Sequence, residues 1–279
     1  MDFRTTYSAY QNNSNIDDQS LIQAYQDYHN AYQQKTCLYN IIREHKRSIL
    51  IIYNTETETQ EIKILKTSQP IDQWTCVAQL PNGKLFCFDH RRVSGIAVLI
   101  DMNGEVKVLP SGTSCKYSSC IYFNNSVYCF GGFSNRFLTL SSRFDLYQNR
   151  WIQLAPMPKA DETCNSVIFN GNILISGYRS KNLFLYSIDI NSFSTITYEF
   201  GAITRKVLIS AERLYLIEFG GSIYESEIGS YMNWRRLVDL TIINPSQVYC
   251  VYNKGGIYAG LDRDHYFKFD LNEKKLIAL

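Results

Sequence analysis

The chain has 279 residues, 45% hydrophobic and 14% aromatic, with 21 Tyr, 15 Phe and 3 Trp, an aromatic excess that suits pleated, half-buried strands better than a helical bundle. A formal net charge of +2 produces no strong field, which argues against nucleic acid or an anionic membrane as the partner. Met1 to Tyr10 have no apolar core of the kind a secretory leader needs, and no stretch of about 18 apolar residues occurs, so a cytoplasmic location with no membrane partner is expected.

Residues 1–16 are rich in Asn, Gln, Ser and Tyr without periodicity, which predicts a disordered tail. From Asp18 the pattern turns helical: Leu21, Ile22, Tyr25, Tyr28 and Tyr32 fall near one face, with acidic residues at the start and Lys35 at the end, so one short amphipathic helix is predicted. Two readings of its apolar face stay open. It packs on the rest of the chain, over a seam beside the first repeat, or it takes a partner helix; about two heptads are too few for a coiled coil.

Beyond residue 35 the chain repeats. Cys76, Cys120 and Cys164 are spaced by 44 residues. Asn82-Gly83 precedes Leu85 to Phe88, and Asn124-Asn125 precedes Val127 to Phe130. The same pattern returns as Asn170-Gly171 before Ile173 to Ile175, Ala211-Glu212 before Leu214 to Ile217, and Gly255-Gly256 before Ile257 to Ala259. These are hairpin signals, and anchors at Gly83, Asn125, Gly171, Glu212 and Gly255 are spaced by 42, 46, 41 and 43 residues. A second series of apolar segments ends at Asn54, Asp101, Asp145, Asp189, Ile228 and Asp270. Periods of about 40 to 50 residues mark the blades of a propeller, each a four-stranded sheet that cannot bury its faces alone. The prediction is an all-β chain: a six-bladed propeller over 36–279 after a 1–35 tail and helix, the first blade, near Thr36 to Leu65, being incomplete.

Residues 118–158 carry a more specific pattern: an apolar strand into Gly131-Gly132, then Phe144 and Trp151 with six residues between, then Pro156-Met157-Pro158. This resembles a full repeat of the kelch family. Gly220-Gly221 repeats the Gly pair, Trp234 the Trp, and single glycines persist at Gly177 and Gly260. Blade 2 departs with Asp89-His90 in place of the Gly pair, blade 4 has Thr195 at the expected Trp position, and blade 1 has neither mark. In physical terms, the glycines permit positive φ where neighbouring backbone crowds the chain, and the Trp is a plate able to fill the space between blades.

With 8 cysteines in a long chain, reduced thiols on inner strands are expected rather than a disulfide scaffold. No structural metal or cofactor is expected, since His29, His45, His90 and His265 do not cluster and Cys115 with Cys120 lacks a second ligand pair. The resemblance also admits propeller enzymes acting on a carbohydrate or small molecule, including a copper oxidase with Tyr and His ligands. His90 and His265, both between second and third strands, are weak support for that, and no nucleophile triad, carboxylate pair or phosphate loop is visible. The reading is therefore not an enzyme.

The topology of a four-stranded meander sends the loops between second and third strands to one face. Those loops carry Arg91, Arg92, Arg136, Arg179, Lys181 and Arg263 against Asp89, Asp262 and Asp264. Arginines suit forked contacts with carboxylates, and Phe133, Tyr178 and Phe219 supply aromatic anchors. The expected function is a protein-interaction module or adaptor that binds a protein or peptide with an acidic motif through this face. The plainer reading, that these charges only solubilise a rim, stays open. The resemblance further implies ubiquitin-ligase adaptors and actin-binding or structural cytoskeletal proteins as relatives, many with a BTB domain that this sequence does not show.

Overall fold

The structure, a computed structural model, describes residues 37–279 apart from 45–46, 68–70, 72–75, 91–94, 114–115, 162–164, 178–181, 198–203, 211–212, 219–221, 228–232, 240–248 and 261–265. The predicted tail and helix lie outside the described residues. Blade 1 is β1 (Cys37–Glu44), β2 (Arg47–Asn54) and β3 (Thr59–Ile64); blade 2 is β4 (Cys76–Gln79), β5 (Leu85–His90), β6 (Gly95–Ile100) and β7 (Val106–Val108). Blade 3 is β8 (Ser119–Phe123), β9 (Ser126–Phe130), β10 (Ser141–Asp145) and β11 (Arg150–Gln153); blade 4 is β12 (Asn165–Phe169), β13 (Asn172–Ser176), β14 (Asn182–Ser187) and β15 (Ser192–Thr197). Blade 5 is β16 (Thr204–Ile209), β17 (Arg213–Glu218), β18 (Ser222–Glu227) and β19 (Arg235–Asp239); blade 6 is β20 (Tyr249–Asn253), β21 (Gly256–Gly260), β22 (Tyr266–Asp270) and β23 (Lys275–Ala278). Every pairing within a blade is antiparallel, giving an all-β, six-bladed propeller.

Local chemistry explains the strand ends. Asn124-Asn125, Asn170-Gly171 and Lys254-Gly255 hold positive φ at both central residues, the backbone of the two-residue turn that matches strand twist. Between third and fourth strands, a side-chain oxygen caps the turn: Asn54, Asp101, Asp145 and Asp270 each accept two backbone N–H groups from the residues that follow. Such local bonds stabilise turns in competition with continued strand. The shared turn equates β2 and β3 with the third and fourth strands of other blades, so β1 stands in the second position. Among the described residues, blade 1 is thus three-stranded where the other five blades have four.

Neighbouring blades bury apolar faces against each other. At the seam between blades 2 and 3, the Trp151 ring lies 5.0 Å from Phe88, 5.3 Å from Phe144 and 6.2 Å from Phe86. Its Nε1 donates to the Pro110 carbonyl at 2.9 Å. Gly112 covers the indole so closely that a Cβ there would meet it at 2.7 Å. Blade 4 requires a correction to the sequence alignment. Tyr186 pairs with Phe193 in the β14–β15 register as Phe144 pairs with Trp151 in blade 3. Phe193, not Thr195, is therefore the plate, 6.1 Å from Phe130 of blade 3.

Among the described residues, blades 6 and 1 close the ring without exchanging a strand, since each is built from one stretch of chain. Leu38, Ile49, Ile51 and Tyr53 pack on Val251, Tyr258 and Tyr266, with Tyr53 and Tyr266 stacked at 4.2 Å. Asn253 Nδ2 donates to Thr55 Oγ1 at 2.8 Å, and Lys254 pairs with Glu56 at 2.9 Å.

The expectation of reduced thiols is corrected at one place: Cys76 and Cys120 form a disulfide between blades 2 and 3, with Cα atoms 5.7 Å apart. The 44-residue spacing puts repeat-equivalent residues on adjacent innermost strands, and those strands converge towards the propeller axis.

Candidate functional site

The loop joining β9 to β10 is described in full. Gly131 and Gly132 have φ of 64° and 112°, conformations that a side chain resists. The Gly131 N–H donates to Leu140 O and the Gly132 N–H to Asp161 O, both at 2.8 Å. Phe133 then exchanges two backbone hydrogen bonds with Lys116, and Leu138 and Asp161 form a bridge on the other side. The loop is thereby stitched to the segment entering blade 3 and to the segment leaving it. Its tip, Ser134 to Arg136, is closed by a bond from Ser134 N–H to Arg136 O at 2.9 Å. Arg136 is exposed, and half-buried Phe133 and Phe137 of the same loop meet edge to face at 5.6 Å. An exposed arginine on a loop fixed by backbone bonds can engage a carboxylate with little ordering of the loop.

Asp161 is fully buried beneath this loop. A Cβ at Gly177, just after β13, would meet its carboxylate at 2.4 Å, so glycine there makes room for a neighbouring blade's connection. Gly260 likewise faces the Tyr266 ring at 3.0 Å. Trp234 packs against the apolar cluster that blades 4 and 5 share.

Of the predicted loop-face residues, Arg136 and Phe133 are the two that share this described loop. Arg91, Arg92, Tyr178, Arg179, Lys181, Phe219 and Arg263 lie outside the described residues, as do Gly220, Gly221 and His265. The strands around them are described, and the β5–β6, β13–β14, β17–β18 and β21–β22 connections leave the blades at the same end as β9–β10. The opposite end displays its own apolar side chains on the turns after β6, β10 and β14: Met102 is 40%, Tyr147 88% and Ile190 73% exposed.

Sequence reasoning missed Phe137, Asp161, Gly112 and the charge cluster of blade 5. There Glu225 accepts from Arg213 Nη1 at 2.7 Å and from Arg235 Nε. Burial pushes the Glu225 carboxyl up, but the hydrogen bonds from Arg213 and Arg235 outweigh it and hold the group below the usual carboxylate range. The cluster staples β17, β18 and β19. Among the described residues, no group of three or more His, Cys, Asp or Glu could hold a metal ion. No helix among them is long and apolar enough to cross a membrane.

The family model described as Kelch motif matches residues 114–158, which hold all of blade 3. The chain is also similar to Kelch-like protein 23 of Homo sapiens, with 34% identity over 92 residues. That match covers 32% of this chain and 16% of the human protein, so the chain spans only a small part of that relative's length.

Proposed function

On the premise that the chain is a six-bladed propeller carrying a kelch motif, we propose that it is a protein-interaction module, an adaptor in the cytoplasm that binds an acidic segment of another protein. The observation that carries this reading is the β9–β10 loop. It carries an exposed arginine and an edge-to-face aromatic pair, and is fixed by backbone bonds to both flanking segments. Electrostatic complementarity at such a rim governs encounter and choice of partner more than raw affinity. By their place in the sequence between second and third strands, Arg91, Arg92, Arg179, Lys181 and Arg263 are assigned to the same proposed surface, with Tyr178 and Phe219 as its further aromatic residues. Ligase or cytoskeletal partners follow from family analogy and are subordinate to this reading.

The opposite face is the rival surface, favoured by the 88% exposure of Tyr147. Affinity capture from native lysate tests both, comparing wild type with a variant in which Arg91, Arg136, Arg179 and Arg263 become Ala. A partner recovered by the wild type and lost by the folded variant supports the loop face. A partner retained by the variant but lost on Tyr147→Ala assigns binding to the other end.

A further inference from the structure

Cys120 lies within reach of two other sulfurs. Across the seam of blades 2 and 3 it is bonded to Cys76, with Cα atoms 5.7 Å apart. Within its own blade it stands directly opposite Cys129 in the β8–β9 register, and their Sγ atoms are 3.0 Å apart. Directly opposed antiparallel residues have Cα atoms roughly 4.5–5.5 Å apart, within the span of about 4.4–6.8 Å that a disulfide bridges. One folded backbone therefore accommodates either partner. The surroundings of the three sulfurs differ. Cys129 is fully buried and Cys120 6% exposed, whereas Cys76 is half-buried on innermost strand β4, with Ser118 Oγ 3.5 Å from its sulfur.

We propose that Cys76, Cys120 and Cys129 form a thiol–disulfide exchange site, in which a disulfide moves from between blades to within blade 3 and leaves Cys76 as the thiol that small disulfides of the glutathione class modify. In the first step Cys129 gives its proton to water and its thiolate attacks Cys120 Sγ. The Cys120–Cys129 bond forms as the Cys76–Cys120 bond breaks, and the electron pair leaves on Cys76, which takes up a proton. Nothing is oxidised or reduced overall. In the second step the Cys76 thiolate attacks a glutathione-class disulfide, forming a mixed disulfide at Cys76 and releasing one glutathione-class thiolate. The first step falls on the minutes-to-hours scale of uncatalysed disulfide rearrangement. Blades 2 and 3 lose their covalent tie while the chain keeps a disulfide.

Peptide mapping of the full chain reads both forms. Trypsin leaves Cys76 on Thr67–Lys84, while Cys120 and Cys129 share Tyr117–Arg136. The interblade form yields these two fragments joined; the intrablade form yields alkylated Thr67–Lys84 and a Tyr117–Arg136 fragment lacking two hydrogens. Protein prepared without reductant, held at mildly alkaline pH and quenched in acid, is expected to convert from the first pattern to the second, and oxidised glutathione to add to Cys76. Cys129→Ser should slow alkylation of Cys76 by about tenfold or more, and Cys76→Ser, once its Cys120 and Cys129 thiols are oxidised by glutathione disulfide, should hold the intrablade form. Circular dichroism checks that each variant folds, with Cys129→Ala replacing a misfolded Cys129→Ser. Two results would overturn the proposal: Cys76 alkylated at equal rates in wild type and folded Cys129 variants, or joined fragments that never convert.

Discussion

At the seam between blades 2 and 3, Trp151 lies among Phe86, Phe88 and Phe144; at the seam between blades 6 and 1, the residue paired with Tyr53 in the same register is Gln60. Gln60 is exposed, and the space is filled differently. Gly260 lets the Tyr266 ring approach its backbone, and that ring stacks on Tyr53. The closing seam adds the Asn253–Thr55 bond and the Lys254–Glu56 pair. A propeller interface thus needs a buried aromatic plate more than it needs a particular motif residue, and the plate can come from either blade.

The largest expected effect breaks the Trp seam. Trp151→Ala removes a plate and its bond to Pro110, and should destabilise the protein by about 3–5 kcal/mol in denaturant unfolding. Tyr53→Ala should cost somewhat less, about 3 kcal/mol, because the polar bonds of the closing seam remain. Tyr53→Phe keeps the stack and should change stability by no more than about 0.5 kcal/mol. Equal losses for the Ala and Phe variants would mean that the ring stack is not what closes the propeller.

A smaller effect separates the seams by pH. Burial raises the Tyr53 hydroxyl to about 12, with Glu58, Tyr258 and Tyr266 adding to it, from an ordinary value of 10.0. Its folded pKa lies above its unfolded one, so its contribution is fully present below pH 10 and is lost as pH rises through about 12. The Trp151 plate has no titrating group. Chemical denaturation across this window should show an alkaline decline that Tyr53→Phe flattens, and an undiminished decline in that variant would assign it elsewhere.

The blade count was legible because Asn-Gly-type turns and Asx-capped turns are local signals that repeat with the period of the fold. Strand β1 was hidden because its connection to β2 falls at His45-Lys46, which carries no turn signature. Phe193 was legible in principle: like Trp151, it follows an aromatic partner with six residues between, but the search for Trp passed over it. The Cys76–Cys120 pair was visible as a 44-residue spacing, yet contact between neighbouring inner strands depends on how blades converge at the axis, which no local pattern encodes. The proposed loop face was read from charge and topology. The stitching of the β9–β10 loop through Lys116 and Asp161 was not, since those bonds use backbone groups whose partners are set by the ring.

The central claim, that a partner docks on the end of the blades bearing Arg136, is tested most directly by site-specific photo-crosslinking in native lysate. One full-length protein carries the photoreactive residue at position 136 and another at position 147, on opposite ends of blade 3. The account predicts a discrete crosslinked partner from position 136 and none from position 147; crosslinking from 147 with none from 136 would contradict it.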